Sequence, residues 1–385
     1  MRKKIVIFGA GKFGRLALNR NREQVAYFID NNRELHGKEI DGFVIRPVEE
    51  FLAEKDNYTV LIACKSQKEI KKQLEQSGVT DYEYYLDTTQ AYFPTNELIY
   101  NPYENERDRD ISEERVNDIA RNSFKKQQIH DEVEQLYGTN MLFTHVEIET
   151  VNRCNGYCDF CPISRQHDTR EYCEMSDELF RKIIDELSEL DYNGKLALFS
   201  NNEPMLDAKI IERHQYAREK LPHARMHLFT NGTLLTVELF KQLMLYLDEL
   251  IIDNYQQELK LIKPCEEIAA YCEGHSELKE RVTIVLRKPH EILSSRGGDA
   301  PNRSQLISLE DVRCVLPYKQ LIIRPDGKVS LCCNDALGRN TLGDVSKDSL
   351  VDVWNNARFQ MVRNCLYNGR KNWNHCEFCD FLSLG

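Results

Sequence analysis

The sequence predicts an α/β protein in three parts: a doubly wound N-terminal domain, a partial parallel (β/α) barrel, and a small cysteine-containing C-terminal domain. Three observations carry this. Short apolar runs alternate with helix-patterned stretches over residues 1–95, as parallel βαβ units require. The same alternation resumes at Leu142 and lasts through VTIVL at 282–286. A turn-rich stretch, RKPHEILSSRGGDAPNRS, then leads into a shorter segment holding cysteines. The expected divisions are 1–95, a helical linker over 96–140, the barrel over 141–300, and the last domain over 301–385.

Composition narrows the function. At 385 residues the chain exceeds what one hydrophobic core usually covers. Its 51 Lys and Arg face 62 Asp and Glu, a net charge of −11, and basic residues such as Lys125 and Lys126 are interspersed with acids. That distribution lacks the basic face of a nucleic-acid-binding protein. No window approaches the roughly twenty apolar residues of a membrane span. The apolar run behind Met1–Lys4 is only Ile5–Phe8, a buried strand and not a secretory segment, so a cytoplasmic location is expected. Thirteen cysteines in short-spaced groups then indicate metal ligation rather than disulfides.

Taken in order, KKIVIFGAGKFGRLAL reads as strand, glycine turn and helix, VAYFID as a second strand ending in Asp30, TVLIAC at 59–64 as a third, and Ser66–Gln76 as a helix. Gly9, Gly11 and Gly14 open the first helix directly after a strand. In that context backbone N–H groups meet a phosphate at a helix N-terminus, and Asp30 is placed to hold a ribose hydroxyl. Residues 101–137 are polar and helix-compatible, punctuated by Pro102 and Gly138. The barrel pattern follows as FTHVEIET, DELFRKIIDEL, KLALFS, a helix near 207–220, RMHLFT, TVELFKQLMLYL and ELIID. In the last domain, QLIIRPDGKVSLCC reads as strand, turn and strand.

The first cysteine group, CNGYCDFC, puts Cys154, Cys158 and Cys161 on one loop after the strand VEIET. A structural zinc would normally require a fourth nearby ligand. Three thiolates on a four-iron cube leave one iron open, and an open iron is a reactive site. This CxxxCxxC spacing after a first barrel strand resembles the radical S-adenosylmethionine (SAM) superfamily. LALFSNNEP at 196–204 resembles that family's Gly-Glu-Pro motif, with Asn201 and Asn202 in place of its glycines, and HLFTNGTLL at 227–235 resembles the strand and turn that follow. The resemblance implies a partial (β/α)6 TIM-type barrel and a [4Fe–4S] cluster whose free iron is chelated by SAM. It further implies that Glu203 accepts from the SAM ammonium, that Ser200 and Asn231 lie near SAM, and that Phe160 shields the cluster and adenine. The chemistry implied is cleavage of SAM to a 5′-deoxyadenosyl radical that abstracts hydrogen, fed by a one-electron donor of flavodoxin or ferredoxin type.

The second group, Cys314, Cys332, Cys376 and Cys379, is spread through the last domain. Four thiolates fully ligate a second cube, and a zinc ribbon is the alternative because CEFC is also a zinc-like pair. With LGDV at 342–345 and VDVW at 351–354, this region resembles the twitch, or shortened SPASM, extension of radical SAM proteins, implying one auxiliary [4Fe–4S] cluster. Cys332 and Cys333 are adjacent and face opposite sides of a strand, so one reaches the cluster; Cys332 is the choice and Cys333 the alternative. Cys365 is a substitute ligand or a hydrogen donor. Cys64, Cys173, Cys265 and Cys272 have no cluster spacing.

The cysteine layout resembles the 2-deoxy-scyllo-inosamine dehydrogenase type of carbohydrate-modifying enzyme, which implies oxidation or epimerisation at a hydroxyl-bearing carbon of a sugar or nucleotide-sugar. Cys333 and Cys365 are the candidates to return a hydrogen atom in an epimerase. Arg296, with Arg303 behind it, is the candidate to bind substrate. The glycine-rich head is Rossmann-like and resembles the heads of sugar-modifying proteins, implying a nucleotide or nucleotide-sugar ligand, with a docking role and NAD as alternatives. A peptide-modifying radical SAM enzyme and a non-catalytic metal-cluster scaffold are the other readings of the whole chain.

Overall fold

The computed structural model describes residues 3–64, 67–85, 97–103, 111–139, 141–303 and 309–384. It forms two compact units, residues 1–90 and 91–385. Ser66 at the expected helix start, residues 104–110 of the expected linker and residues 304–308 beyond the expected boundary lie outside the described residues.

In the first unit the elements run β1 (Lys4–Phe8), α1 (Lys12–Asn21), β2 (Val25–Ile29), β3 (Glu39–Ile40), β4 (Phe43–Arg46), α2 (Val48–Leu52), β5 (Tyr58–Ile62), α3 (Gln67–Gln76) and β6 (Tyr82–Tyr84). Among the described residues they make a six-stranded sheet of order β3-β4-β2-β1-β5-β6, parallel except for β3 against β4. Its central strands are continuous apolar runs because both faces are covered. Val6 and Phe8 pack with Val60, Ile62, Ile70 and Leu74 on one side. Ile7 packs with Ala17, Leu18, Phe28 and Leu61 on the other.

The second unit continues as β7 (Ile99–Tyr100), α4 (Ile111–Leu136), β8 (His145–Ile148), α5 (Asp177–Glu189), β9 (Lys195–Ala197), α6 (Ile210–Lys220), β10 (Arg225–Thr230), α7 (Val237–Met244), β11 (Glu249–Tyr255), α8 (Lys263–Glu273), α9 (Ser276–Lys279) and β12 (Val282–Arg287). It ends with β13 (Gln320–Ile323), β14 (Lys328–Ser330), β15 (Thr341–Asp344), α10 (Leu350–Asn355) and α11 (Ala357–Tyr367). The sheet order is β15-β14-β13-β8-β9-β10-β11-β12-β7 among the described residues. Strands from β13 through β7 pair in parallel, and β14 and β15 add antiparallel. Thus β13, the first strand of the cysteine hairpin, is also the parallel neighbour of β8. The C-terminal segment is joined to the barrel sheet through backbone hydrogen bonds.

Local chemistry explains the helices. Ser176 caps α5 by accepting from Leu179 N at 3.1 Å, worth about 1 kcal/mol. Phe180, Ile183, Ile184 and Leu187 form its buried stripe, the helical spacing of an amphipathic element. On β8 the period of two separates chemistry from packing. Val146 and Ile148 join the helix-side core, whereas His145 and Glu147 occupy the opposite face yet remain buried. Burying polar side chains there is costly unless they are satisfied, so their partners bear on function.

Candidate functional site

The strand β8 leads within a few residues into the first cysteine loop. Val151 bridges Glu174, and Arg170 secures the loop base. Its guanidinium donates to Glu149 Oε1 at 2.9 Å, to Asp168 Oδ1 and Oδ2 at 3.0 Å, and to the carbonyls of Asn152 and Asn201 at 3.0 Å. Cys154 Sγ accepts from Gly156 N at 3.3 Å. A Cβ at Gly156 would lie 3.3 Å from Cys154 Sγ and 4.0 Å from Cys158 Sγ, so the glycine leaves room between two thiols. The three sulfurs are close enough to influence one another electrostatically.

Burial pushes the Cys154 thiol up to about 12 and Cys158 higher still. Burial thus disfavours the thiolate at Cys154 and Cys158, and ligation would deprotonate them outright. Phe160 is buried and its ring lies 6.0 Å from that of Tyr255. Asn231 Nδ2 reaches Asn155 Oδ1 at 2.7 Å and Cys154 Sγ at 3.9 Å, so Asn231 adjoins the thiol loop. Glu203 is 1% exposed. It accepts from Thr230 Oγ1 at 2.6 Å, Met205 N at 3.1 Å and Asn231 N at 2.7 Å. Glu203 therefore fixes the end of β10, and the Ser200 hydroxyl donates to Glu147 Oε2 at 2.6 Å.

The second cysteine set assembles around an arginine that sequence reasoning missed. Cys314, Cys332 and Cys376 are buried and Cys379 is half-buried. Arg370, 2% exposed, donates from NH1 to Cys379 Sγ at 3.4 Å and to the Phe381 carbonyl at 2.9 Å. Its charge is felt by Cys376 and Cys379 and its own basicity is raised by all four thiols. Its Nε has no hydrogen-bond partner among the described residues. Four mutually facing thiols with a buried cation and a spare N–H fit an anionic, fully ligated iron–sulfur cube. Among the described residues no three His, Cys, Asp or Glu side chains converge as closely as a single metal ion requires.

Cys333 adjoins the four-thiol set and a second group of residues. Its thiol faces Glu147 and Arg296 as well as the C-terminal set, and burial pushes it well up. Its carbonyl accepts from Asn201 Nδ2 at 3.1 Å and from Arg296 NH1 at 3.2 Å. Arg296 also reaches Asn201 Oδ1 at 3.4 Å. Asn201, where the family motif has glycine, thus ties the two loops together. Arg303 pairs with Asp380 and donates to the Leu293 carbonyl, which commits it to holding the chain in place. Cys365 sits half-buried on α11, and no contact with the four thiols is found for it among the described residues. Cys265 and Cys272 are fully buried in the core.

In the first unit, Gly9 has φ +113°, and a Cβ on Gly14 would sit 1.9 Å from the Gly9 carbonyl oxygen. Both glycines are required by the turn itself, whereas space is open beside Gly11. Asp30 Oδ2 accepts from Ala10 N and Oδ1 from Asn32 N, each at 2.8 Å.

Among the described residues no helix is long and apolar enough to cross a membrane. A family model for the radical SAM superfamily matches residues 148–255, one for the SPASM iron–sulfur cluster-binding domain matches 314–380, and one described as C2185-like, N-terminal, matches 1–84. The chain is similar to the S-adenosyl-L-methionine-dependent 2-deoxy-scyllo-inosamine dehydrogenase of Niallia circulans, 26% identical over 247 residues that are 63% of this chain and 95% of the relative. It is similar also to the crystal structure of BtrN in complex with AdoMet and 2-DOIA, with TM-score 0.57, 25% identity, and coverage of 64% of this chain and 96% of that one. The chain is an enzyme of the radical SAM superfamily, with a SPASM iron–sulfur domain towards its C-terminal end.

Proposed function

We propose that the enzyme removes two hydrogens from a hydroxyl-bearing carbon of a sugar, aminocyclitol or nucleotide-sugar. When bound, the cluster of the first loop supplies a 5′-deoxyadenosyl radical from SAM. Cys154, Cys158 and Cys161 would hold that cluster, with Phe160 against it and Asn231 beside it. Cys314, Cys332, Cys376 and Cys379 would hold a second [4Fe–4S] cluster. One observation carries the oxidative reading. The Cys333 thiol is close enough to feel Glu147 and Arg296 and also Cys379 and Cys314 of the four-thiol set, so a one-electron acceptor held there would border a substrate bound at Arg296. Arg296 orients a substrate oxygen through its remaining N–H groups. The similarity to a 2-deoxy-scyllo-inosamine dehydrogenase supports the same reaction class.

Epimerisation is the second reading, favoured by the Cys333 thiol. Burial keeps it protonated, as a hydrogen-atom donor must be. The test is product analysis with 2-deoxy-scyllo-inosamine and UDP-hexoses, reduced protein and SAM. A ketone with no solvent hydrogen at the reacting carbon supports oxidation. An inverted product carrying one solvent hydrogen, lost in Cys333→Ala, supports epimerisation. The electron donor in this proposal is a flavodoxin or ferredoxin type protein.

The Rossmann-like head is proposed to bind a nucleotide or nucleotide-sugar, supported by the open space at Gly11 before α1. Calorimetry with UDP-sugars and NAD, comparing the intact protein with Gly11→Val, tests this. Heat lost in the variant supports a ligand site, and no heat with either ligand argues for docking.

A further inference from the structure

A buried titratable chain on the inner face of the barrel sheet has no role in the assignments above. Glu147 is 6% exposed, and its register partners Ala197 and Ile322 are apolar. Its Oε2 accepts from Ser200 Oγ at 2.6 Å. Its Oε1 lies 3.6 Å from Nε2 of His145, a histidine 2% exposed whose Nε2 has no hydrogen-bond partner among the described residues. Gln320 Nε2 meets His145 Nδ1 at 3.3 Å. With the amide donating there, the proton of the neutral imidazole sits on Nε2, directed at Glu147.

The other groups facing Glu147 are Arg296 and the Cys333 thiol. Lys195, Lys319 and His227 face His145. Burial outweighs the Ser200 hydrogen bond and the Arg296 charge and pushes the Glu147 carboxyl up to about 7. Burial, with Lys195 and Lys319 nearby, holds His145 down to about 3. His145 therefore stays neutral beside Glu147. Glu147 is poised to gain or lose a proton near neutral pH, as a general base should be. Its location matters equally: β8 runs from Glu147 into the first thiol loop, and Cys333 adjoins the second thiol set.

We propose that Glu147 is the proton acceptor for the substrate hydroxyl, held in place by Ser200, with the His145 imidazole 3.6 Å from its other oxygen. This rests on the oxidative reading above. The hydrogen atom on carbon would leave to the SAM-derived 5′-deoxyadenosyl radical. The hydroxyl O–H breaks, its proton passes to the Glu147 carboxylate, one electron would leave to an iron–sulfur acceptor held by the C-terminal thiols, and the C=O bond closes. Hydrogen atom, proton and electron together are the two hydrogens removed from the carbinol. Without a base, abstraction continues while the radical lacks its exit to ketone.

The experiment compares wild type with Glu147→Gln on 2-deoxy-scyllo-inosamine and UDP-hexoses deuterated at their carbinol carbons. The readout is ketone formed per deuterated 5′-deoxyadenosine. The ratio is expected to fall from about one to roughly 0.01, the 10²-fold effect of losing a general base. An unchanged ratio overturns the proposal, as does loss of abstraction with iron content intact, because Glu147 would then serve binding alone. If Glu147→Gln does not fold, Glu147→Asp, with its shortened reach, carries the same ratio test, and an unchanged ratio overturns. In the resting holoenzyme without SAM, the infrared carboxyl band lost in the variant should grow as pH falls through about 7. No such band overturns the assignment. Wild type giving 5′-deoxyadenosine but no ketone from any probe defeats the oxidative reading and the proposal with it, and that failure is recognisable because it appears before any mutation.

Discussion

The two thiol sets are built in opposite ways. Cys154, Cys158 and Cys161 lie within one eight-residue loop, partly open, with the amide groups of Gly156 and Asn231 as neighbours. Cys314, Cys332 and the Cys376–Cys379 pair come from three places along the chain and close around the buried Arg370. A local loop offers three ligands and leaves coordination for a small molecule. Tertiary packing offers four ligands and a countercharge, the construction suited to an electron site.

Removing ligands should separate the two most sharply. Cys154→Ala, Cys158→Ala and Cys161→Ala together should reduce SAM cleavage, followed as 5′-deoxyadenosine, to background while the second set keeps its iron. Cys376→Ala with Cys379→Ala should do the reverse, preserving SAM cleavage and abolishing ketone. Comparable loss of cleavage in both would merge the two sites into one functional unit. The countercharge is the next difference. Arg370→Gln should lower the midpoint potential of the C-terminal cluster by on the order of 100 mV, because a buried positive charge favours the reduced state. An EPR-monitored redox titration should find the first cluster unmoved.

The same contrast explains what could be read beforehand. The triad was legible because its ligands sit at fixed short spacing after a strand, and the alternation of strands and helices gave the barrel and the head. The C-terminal cysteines were legible as a set, but Arg370 was not: it belongs to no motif and reaches the thiols only through tertiary packing. Asn201 read as a lost glycine, whereas its amide bridges to the Cys333 carbonyl and Arg296. Glu147 left one signal, an acid in VEIET at a position a parallel strand normally buries, and its partners Ser200 and His145 needed the structure. The joining of β13 to β8 depends on long-range pairing, which a compositional boundary near residue 300 does not reveal.

Smaller effects probe the ground between the sets. Arg296→Lys keeps the charge but loses the planar fork that reaches Asn201 and the Cys333 carbonyl. It should raise KM for the sugar roughly tenfold, about 1.4 kcal/mol, with SAM cleavage in the absence of substrate little changed. Below the triad, His145 is buried neutral, held down to about 3 in the folded protein, against about 6.5 when unfolded. Unfolding then takes up a proton as pH falls below about 6.5. The stability from keeping His145 neutral is complete above that pH and declines toward pH 3, by about 2 kcal/mol at pH 5. Urea unfolding midpoints between pH 5 and 7 should fall less with acid in His145→Gln than in the wild type, because the raised Glu147 carboxyl, which acts in the opposite sense over this range, is common to both.

The most direct test of the two-site account is anaerobic iron and sulfide quantitation with EPR on the wild type and on the triple alanine variant of Cys154, Cys158 and Cys161. About eight irons per chain are expected in the wild type and about four in the variant, the latter with the signal of a fully cysteine-ligated cube. About four in the wild type and none in the variant would contradict it, leaving the C-terminal thiols without iron and the oxidative reaction without its acceptor.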